Sequence, residues 1–168
     1  MTFLPSQLQE AAQELADLLK QREQTICVAE TAAGGLISAS LLACPGASKI
    51  YAGGLTLYTL PSRIAFAGWT EETIKDYKGP TPEIVSGIAK NVVAKLNADY
   101  CICESGTAGP TGGTTRNRTP GYCALAMSDA RQETVTREIE TGSSERTDNM
   151  VAFATAAIKL AVEVVRSA

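Results

Sequence analysis

Apolar side chains at Leu4, Leu8, Ala11, Ala12, Leu15, Leu18 and Leu19 recur at helical spacing after Pro5 and predict a first helix running to about Arg22. Thr25 to Glu30 then reads as a short buried strand. The Gly34-Gly35 pair leads into Leu36, Ile37, Leu41 and Leu42, a second helix stopped by Pro45-Gly46. Ile50 to Thr59 has strand character, although Gly53-Gly54 inside it points to a bulge or a close backbone approach. Ser62 to Gly68 and Thr70 to Tyr77 predict short helices. Thr81-Pro82-Glu83 is a strong helix start, and Ile84, Val85, Ile88, Val92, Val93 and Leu96 carry its apolar stripe to near Asn97. Tyr100 to Glu104 is a buried-type strand followed by a glycine-rich turn, Ser105 to Gly113. Tyr122 to Met127 and Thr134 to Ile139 form a hairpin, and a last helix from about Ser144 buries Met150, Phe153, Ala154, Ala157, Ile158 and Val164.

Helices alternating with buried strands predict a three-layer α/β/α sandwich with a central mixed sheet, because such strands need cover on both faces. The 168 residues, 45% of them hydrophobic, are expected to form one domain over 1–168. A net charge of -3 with no long basic run argues against nucleic acid or an anionic membrane as partner, and favours a small solute. No apolar run reaches the ~20 residues of a membrane span and no leader pattern is visible, so a cytoplasmic protein is expected. The five cysteines, Cys27, Cys44, Cys101, Cys103 and Cys123, read as small buried side chains, with Cys101 and Cys103 on one strand face. The absence of histidine removes Ser-His-Asp and Cys-His catalysis and the imidazole metal motifs. Neither a metal nor a cofactor is expected.

Two glycine-rich segments carry the candidate chemistry: Glu30-Thr31-Ala32-Ala33-Gly34-Gly35, and Ser105-Gly106-Thr107-Ala108-Gly109-Pro110-Thr111-Gly112-Gly113. Each follows a buried strand, so both should emerge at the carboxyl ends of sheet strands and line one pocket. The first precedes a helix, whose free amides and dipole suit a phosphate or an oxyanion. Neither fits a Walker or dinucleotide fingerprint, so spacing alone names no ligand.

Together with Pro45-Gly46-Ala47-Ser48 and Tyr58-Thr59-Leu60, these motifs are similar in order and interval to the CinA C-terminal domain family, the nicotinamide-nucleotide amidases. That resemblance implies hydrolysis of the carboxamide of nicotinamide mononucleotide, no metal, and a homo-oligomer, commonly a dimer. It also implies a catalytic group of two serines, a strand tyrosine and a lysine shortly beyond it. By position these are Thr31, Ser48, Tyr58 and Arg63 here, so two of the four are changed. Thr31 keeps a hydroxyl that can attack an amide once deprotonated. Arg63 stays protonated and cannot be the base, but beside Tyr58 it would favour the phenolate and make Tyr58 the proton acceptor. Substrate contacts are expected from Glu30, Ala33, Gly34, Gly35, Ser105, Gly106, Thr107, Gly109, Thr111, Gly112, Gly113 and Arg146, the loop amides supplying the oxyanion site. Thr114, Arg116 and Arg118 could add hydroxyls and positive charge, or form a mobile surface loop. Leu60 and Arg63 leave two other readings open: a binding protein without turnover, and an enzyme acting on a different, carboxylate-bearing substrate.

Overall fold

The computed structural model describes residues 3–168. In order its elements are α1 (Ser6–Arg22), β1 (Ile26–Glu30), α2 (Leu36–Leu42), β2 (Tyr51–Thr56), α3 (Leu60–Phe66), α4 (Glu71–Lys75), α5 (Pro82–Leu96), β3 (Tyr100–Gly106), β4 (Tyr122–Asp129), β5 (Thr134–Glu140) and α6 (Arg146–Ser167). Short 3-10 turns lie at Ala47–Lys49 and Arg116–Arg118.

The strands form a mixed five-stranded sheet in the order β2-β1-β3-β4-β5. β1 pairs in parallel with β2 and β3, and β4 is antiparallel to both β3 and β5. Alternation along each strand sends successive side chains to opposite faces. Val28, Ile102 and Leu125 pack beneath α1, α2 and α6 with Leu8, Leu15, Ile37, Phe153 and Ile158. Cys27, Cys101, Cys103 and Ala124 pack beneath α5 with Val85, Ile88, Val92 and, from the connection before it, Trp69. Two cores therefore share one sheet, giving the three-layer α/β/α sandwich. All five cysteines are buried and free, and Cys101 and Cys103 lie on the same face. Among the described residues no helix is long and apolar enough to cross a membrane.

Local chemistry sets the boundaries. Thr81 caps α5 by accepting from the Ile84 amide at 3.3 Å, with Pro82 at the first helical position and Asn97 closing the helix in the left-handed region. Thr59 leaves the expected strand and caps α3 instead, accepting from the Ser62 amide at 3.3 Å, so β2 ends at Thr56 and the helix begins earlier than Ser62. The register between β1 and β2 steps from Ile26–Tyr51 to Cys27–Gly53, a bulge at the glycine pair. A Cβ on Gly54 would overlap the hydroxyls of Tyr51 and Ser38, so glycine admits the close approach of α2. β3 runs on through Ser105 and Gly106, which are strand residues rather than the start of a loop.

Candidate active site

β1 and β3 are parallel neighbours with Glu30 opposite Glu104, so Thr31 and Ser105 leave the same sheet edge side by side. The two glycine-rich segments meet there by direct contact. Thr31 Oγ1 lies 3.1 Å from Ser105 Oγ and 3.3 Å from Glu104 Oε1, and can donate to either. The amides of Thr31 and Ala33 donate to Glu104 as well, at 3.2 Å and 3.0 Å. Thr31 is 4% exposed and Glu104 fully buried. Burial pushes the Glu104 carboxyl up to about 7; the Ala33 and Thr31 amides oppose that rise and Glu30 adds to it.

The expected oxyanion site in the first segment is already filled. The Glu30 carboxylate accepts from the amides of Ile37 and Ser38, both at 3.0 Å, at the start of α2. A buried carboxylate requires such donors, and they take the helix-end amides that an anion would use. Glu30 and the Ala33 amide thus have structural partners, not free positions for substrate. Gly34 and Gly35 have φ of +66° and +102° and supply the turn, Gly35 standing just before α2.

Tyr58 follows β2 at the same edge and is 64% exposed. Its hydroxyl accepts from Arg146 Nη2 at 3.2 Å, while Arg146 Nη1 donates to the Gly109 carbonyl at 2.7 Å. Arg146, the first residue of α6, therefore clamps Tyr58 to the second segment. Asn149, fully buried one turn later, donates to the Ala108 and Ser143 carbonyls at 2.9 and 2.8 Å and fixes the same loop. Gly109, at φ +87°, packs so close to the Ser144 carbonyl that a Cβ there would lie 2.7 Å from its oxygen.

Two positions carried over by resemblance lie elsewhere. Ser48 sits exposed in the turn before β2. Because β2 is parallel to β1, that turn belongs to the opposite sheet edge from Thr31, and Ser48 does not join this cluster within the chain. Arg63 is 4% exposed, and its guanidinium lies 5.0 Å from the Trp69 ring and 5.2 Å from the Tyr77 ring, in the core under α5. Its Nε donates to the Leu57 carbonyl at 3.4 Å, and one of its terminal nitrogens is buried without a partner. The side chain that holds the Tyr58 hydroxyl is Arg146, so the expected Arg63–Tyr58 couple does not form.

Beside the second segment lies a cleft of about 350 Å³, walled by Gly106, Thr107, Gly112, Gly113 and Arg118 and by Tyr77, Gly79 and Pro80. It takes no wall from Thr31 to Gly35, so the expected shared pocket is a packed contact at the strand ends and a cleft alongside. Thr107 donates to the Asn117 carbonyl at 3.0 Å, and Thr111 is exposed at the rim. The 114–119 stretch holds a 3-10 turn and is tied down by Asn117, which donates to the Lys78 and Pro80 carbonyls at 3.2 and 3.0 Å. Arg116 is engaged by Glu138 and Glu140, leaving Arg118 as the cation on the cleft. A roomier groove of about 620 Å³ crosses β5 and the end of α6, but its Asp129, Arg131, Glu133, Arg137 and Glu163 are already ion-paired with one another. Among the described residues no three Cys, Asp or Glu side chains are arranged to hold a metal.

The family model of the CinA C-terminal domain matches residues 8–165. This chain belongs to the CinA C-terminal domain family. A CinA-like protein of Thermotoga maritima is 36% identical over 97 residues, 58% of this chain and 24% of the relative. One from Shewanella piezotolerans is 34% identical over 116 residues, 69% and 27% respectively. The chain thus spans about a quarter of the length of the curated relatives it matches. Among solved structures, the competence/damage inducible protein CihA of Agrobacterium tumefaciens superposes with a TM-score of 0.90 at 22% identity, covering 99% of both chains. A competence or damage-inducible protein of Enterobacter asburiae gives 0.85 at 24% identity, covering 94% of this chain and 98% of that one. At these identities the likeness establishes the CinA fold.

The CinA motifs omit one residue that the geometry brings forward, Glu104. Its signal in the sequence was a carboxylate ending the apolar run Tyr100-Cys101-Ile102-Cys103, on the face set by Ile102. Trp69 and Tyr77 were likewise missed, because the cation they enclose is brought to them by folding.

Proposed function

We propose that this CinA-family chain is a metal-free amide hydrolase of the nicotinamide-nucleotide amidase type, acting on nicotinamide mononucleotide or a related small carboxamide. One observation carries the reading: the Thr31 hydroxyl stands at the end of β1 within hydrogen-bonding distance of two polar side chains from the end of β3. A hydroxyl so placed is a nucleophile with somewhere to send its proton. The cleft along the second segment suits the rest of such a substrate, with Arg118 for a phosphate and the Tyr77 ring for a planar base.

Ammonia release from nicotinamide mononucleotide and a panel of simpler carboxamides tests this. Thr31→Ala is expected to lower the rate by about a thousandfold or more, while Thr31→Ser keeps it. No release from any carboxamide by the parent chain would end the amidase reading.

The 4% exposure of Thr31 favours a second reading, a binding protein that keeps the cleft without turnover. Nicotinamide mononucleotide would then raise the unfolding temperature saturably, by the equivalent of about 2.7 kcal/mol at a hundred times Kd, and no ammonia would form.

A further inference from the structure

We infer that Glu104 is the catalytic base of this site: its carboxylate takes the proton of the Thr31 hydroxyl as Thr31 attacks. The inference rests on the amidase reading for its reaction, and on geometry for its assignment. Among the described residues the side chains that hydrogen-bond to Thr31 Oγ1 are Glu104 and Ser105. A serine hydroxyl is too weak a base to keep the proton, whereas a carboxylate can hold it. The other groups fail on position. Arg63 is permanently protonated and enclosed by Trp69 and Tyr77, and the Tyr58 hydroxyl is held by Arg146 and makes no hydrogen bond to Thr31 Oγ1.

Glu104 is also built for the task. Its two oxygens accept from the Thr31 and Ala33 amides, which fix the carboxylate against the nucleophile. Removal from water on a buried strand end raises its basicity to about 7, the range in which a base can both accept and return a proton near neutrality. The titratable groups beside it are Glu30 on β1, whose charge raises the Glu104 carboxyl, and Cys103 on its own strand and Cys123 on β4. Burial, with Glu104 itself adding, holds both thiols well up.

The Thr31 O–H bond breaks, its proton passes to Glu104, and Oγ1 bonds to the carboxamide carbon as the carbonyl π pair moves onto oxygen. That pair returns as the C–N bond breaks, and the nitrogen leaves as ammonia with the proton from Glu104. Water then attacks the Thr31 ester, yielding one proton to Glu104, and the carboxylic acid departs as Oγ1 recovers that proton. The sum is amide plus water to acid plus ammonia.

Two readouts test the assignment: ammonia release from nicotinamide mononucleotide, and acetylation of Thr31 by p-nitrophenyl acetate, located by peptide mass. Both are followed from about pH 5.5 to 8.5, the span over which such a base ionises. In the parent chain both rates are expected to rise with a single midpoint near 7. Glu104→Gln should slow both by about a hundredfold or more and flatten the profile. If ammonia is released and Glu104→Gln retains it within about threefold, the base assignment is overturned and the amidase stands. If no ammonia appears but Thr31 is acetylated and Glu104→Gln abolishes this, the amidase falls and the base stands. If neither reaction occurs, both fall. Should Glu104→Gln not fold, the parent acetylation profile decides: a rise through 7 supports the base, and a flat profile overturns it.

Discussion

Arg63 is a buried cation whose neighbours are two aromatic rings rather than a carboxylate. A guanidinium tolerates this because it is planar, stacks on rings and is weakly hydrated, whereas an ammonium is compact and strongly hydrated. Arg63→Lys should therefore cost about 2 kcal/mol and lower the unfolding temperature by roughly 4–8 °C in a thermal melt, with no gain in ammonia release. An unchanged melt would mean that the stacked guanidinium contributes nothing. Glu104 makes the opposite bargain. Its folded carboxyl is held at about 7, whereas an unfolded glutamate titrates near ~4.3, so the folded chain binds the extra proton between these limits. This contribution is fully present below ~4.3 and is lost as pH rises through about 7, by up to about 4 kcal/mol. Urea denaturation of the parent and of Glu104→Gln across that window measures it: the difference in stability between the two should change with pH, and a constant difference would refute it. A group that destabilises the fold when ionised is retained at some cost, as a base working near neutrality would be.

At the scale of elements, the second glycine-rich segment is held by the first turn of α6. Gly109 sits at φ +87° against the Ser144 carbonyl, and its own carbonyl receives Arg146. Gly109→Ala should cost roughly 1–3 kcal/mol from strained backbone and crowding, and should free the Tyr58 ring from its clamp. Faster quenching of tyrosine fluorescence, alongside the fall in stability, checks both; a melt matching the parent would show that the loop relaxes freely. Much of this layout was legible beforehand. Thr81-Pro82 and the spacing from Ile84 to Leu96 define α5 because capping and periodicity are local properties. The convergence at the strand ends was also readable, since parallel neighbours deliver their following residues to one edge. What failed depended on long-range geometry. Motif order cannot say which edge a turn occupies, and the parallel pairing of β2 with β1 sends Ser48 away from Thr31. Arg63 was displaced by a local competition: Thr59 caps α3, the helix starts at Leu60, and its fourth residue turns into the core. Glu104 was hidden because only the pairing of β3 with β1 buries that carboxylate and brings it to the Thr31 hydroxyl.

For the whole molecule, the central sheet couples two hydrophobic cores that make few demands on each other directly. Ile158 on α6 lies in the core with Leu15 and Phe153, and Ile88 on α5 lies in the core with Val85 and Val92. The strands between them contribute alternate residues to each side, so neither core can be lost without uncovering one face of β1, β3 and β4. This arrangement also positions the site: Thr31, Glu104 and Ser105 stand at the carboxyl ends of two strands covered on both faces, and their separation is fixed by the sheet hydrogen bonds. Ile88→Ala and Ile158→Ala should each cost about 2–5 kcal/mol, from lost burial and the cavity left behind. Sitting on opposite faces, they should add within about 0.5 kcal/mol in the double variant. Urea unfolding followed by far-ultraviolet circular dichroism and by Trp69 fluorescence checks this, because Trp69 reports the α5 core while dichroism reports all the helices. Coincident transitions are expected in all three variants. A fluorescence transition that precedes the dichroism in Ile88→Ala would mean that the α5 layer can peel away by itself, leaving one wall of the site on a separately melting unit.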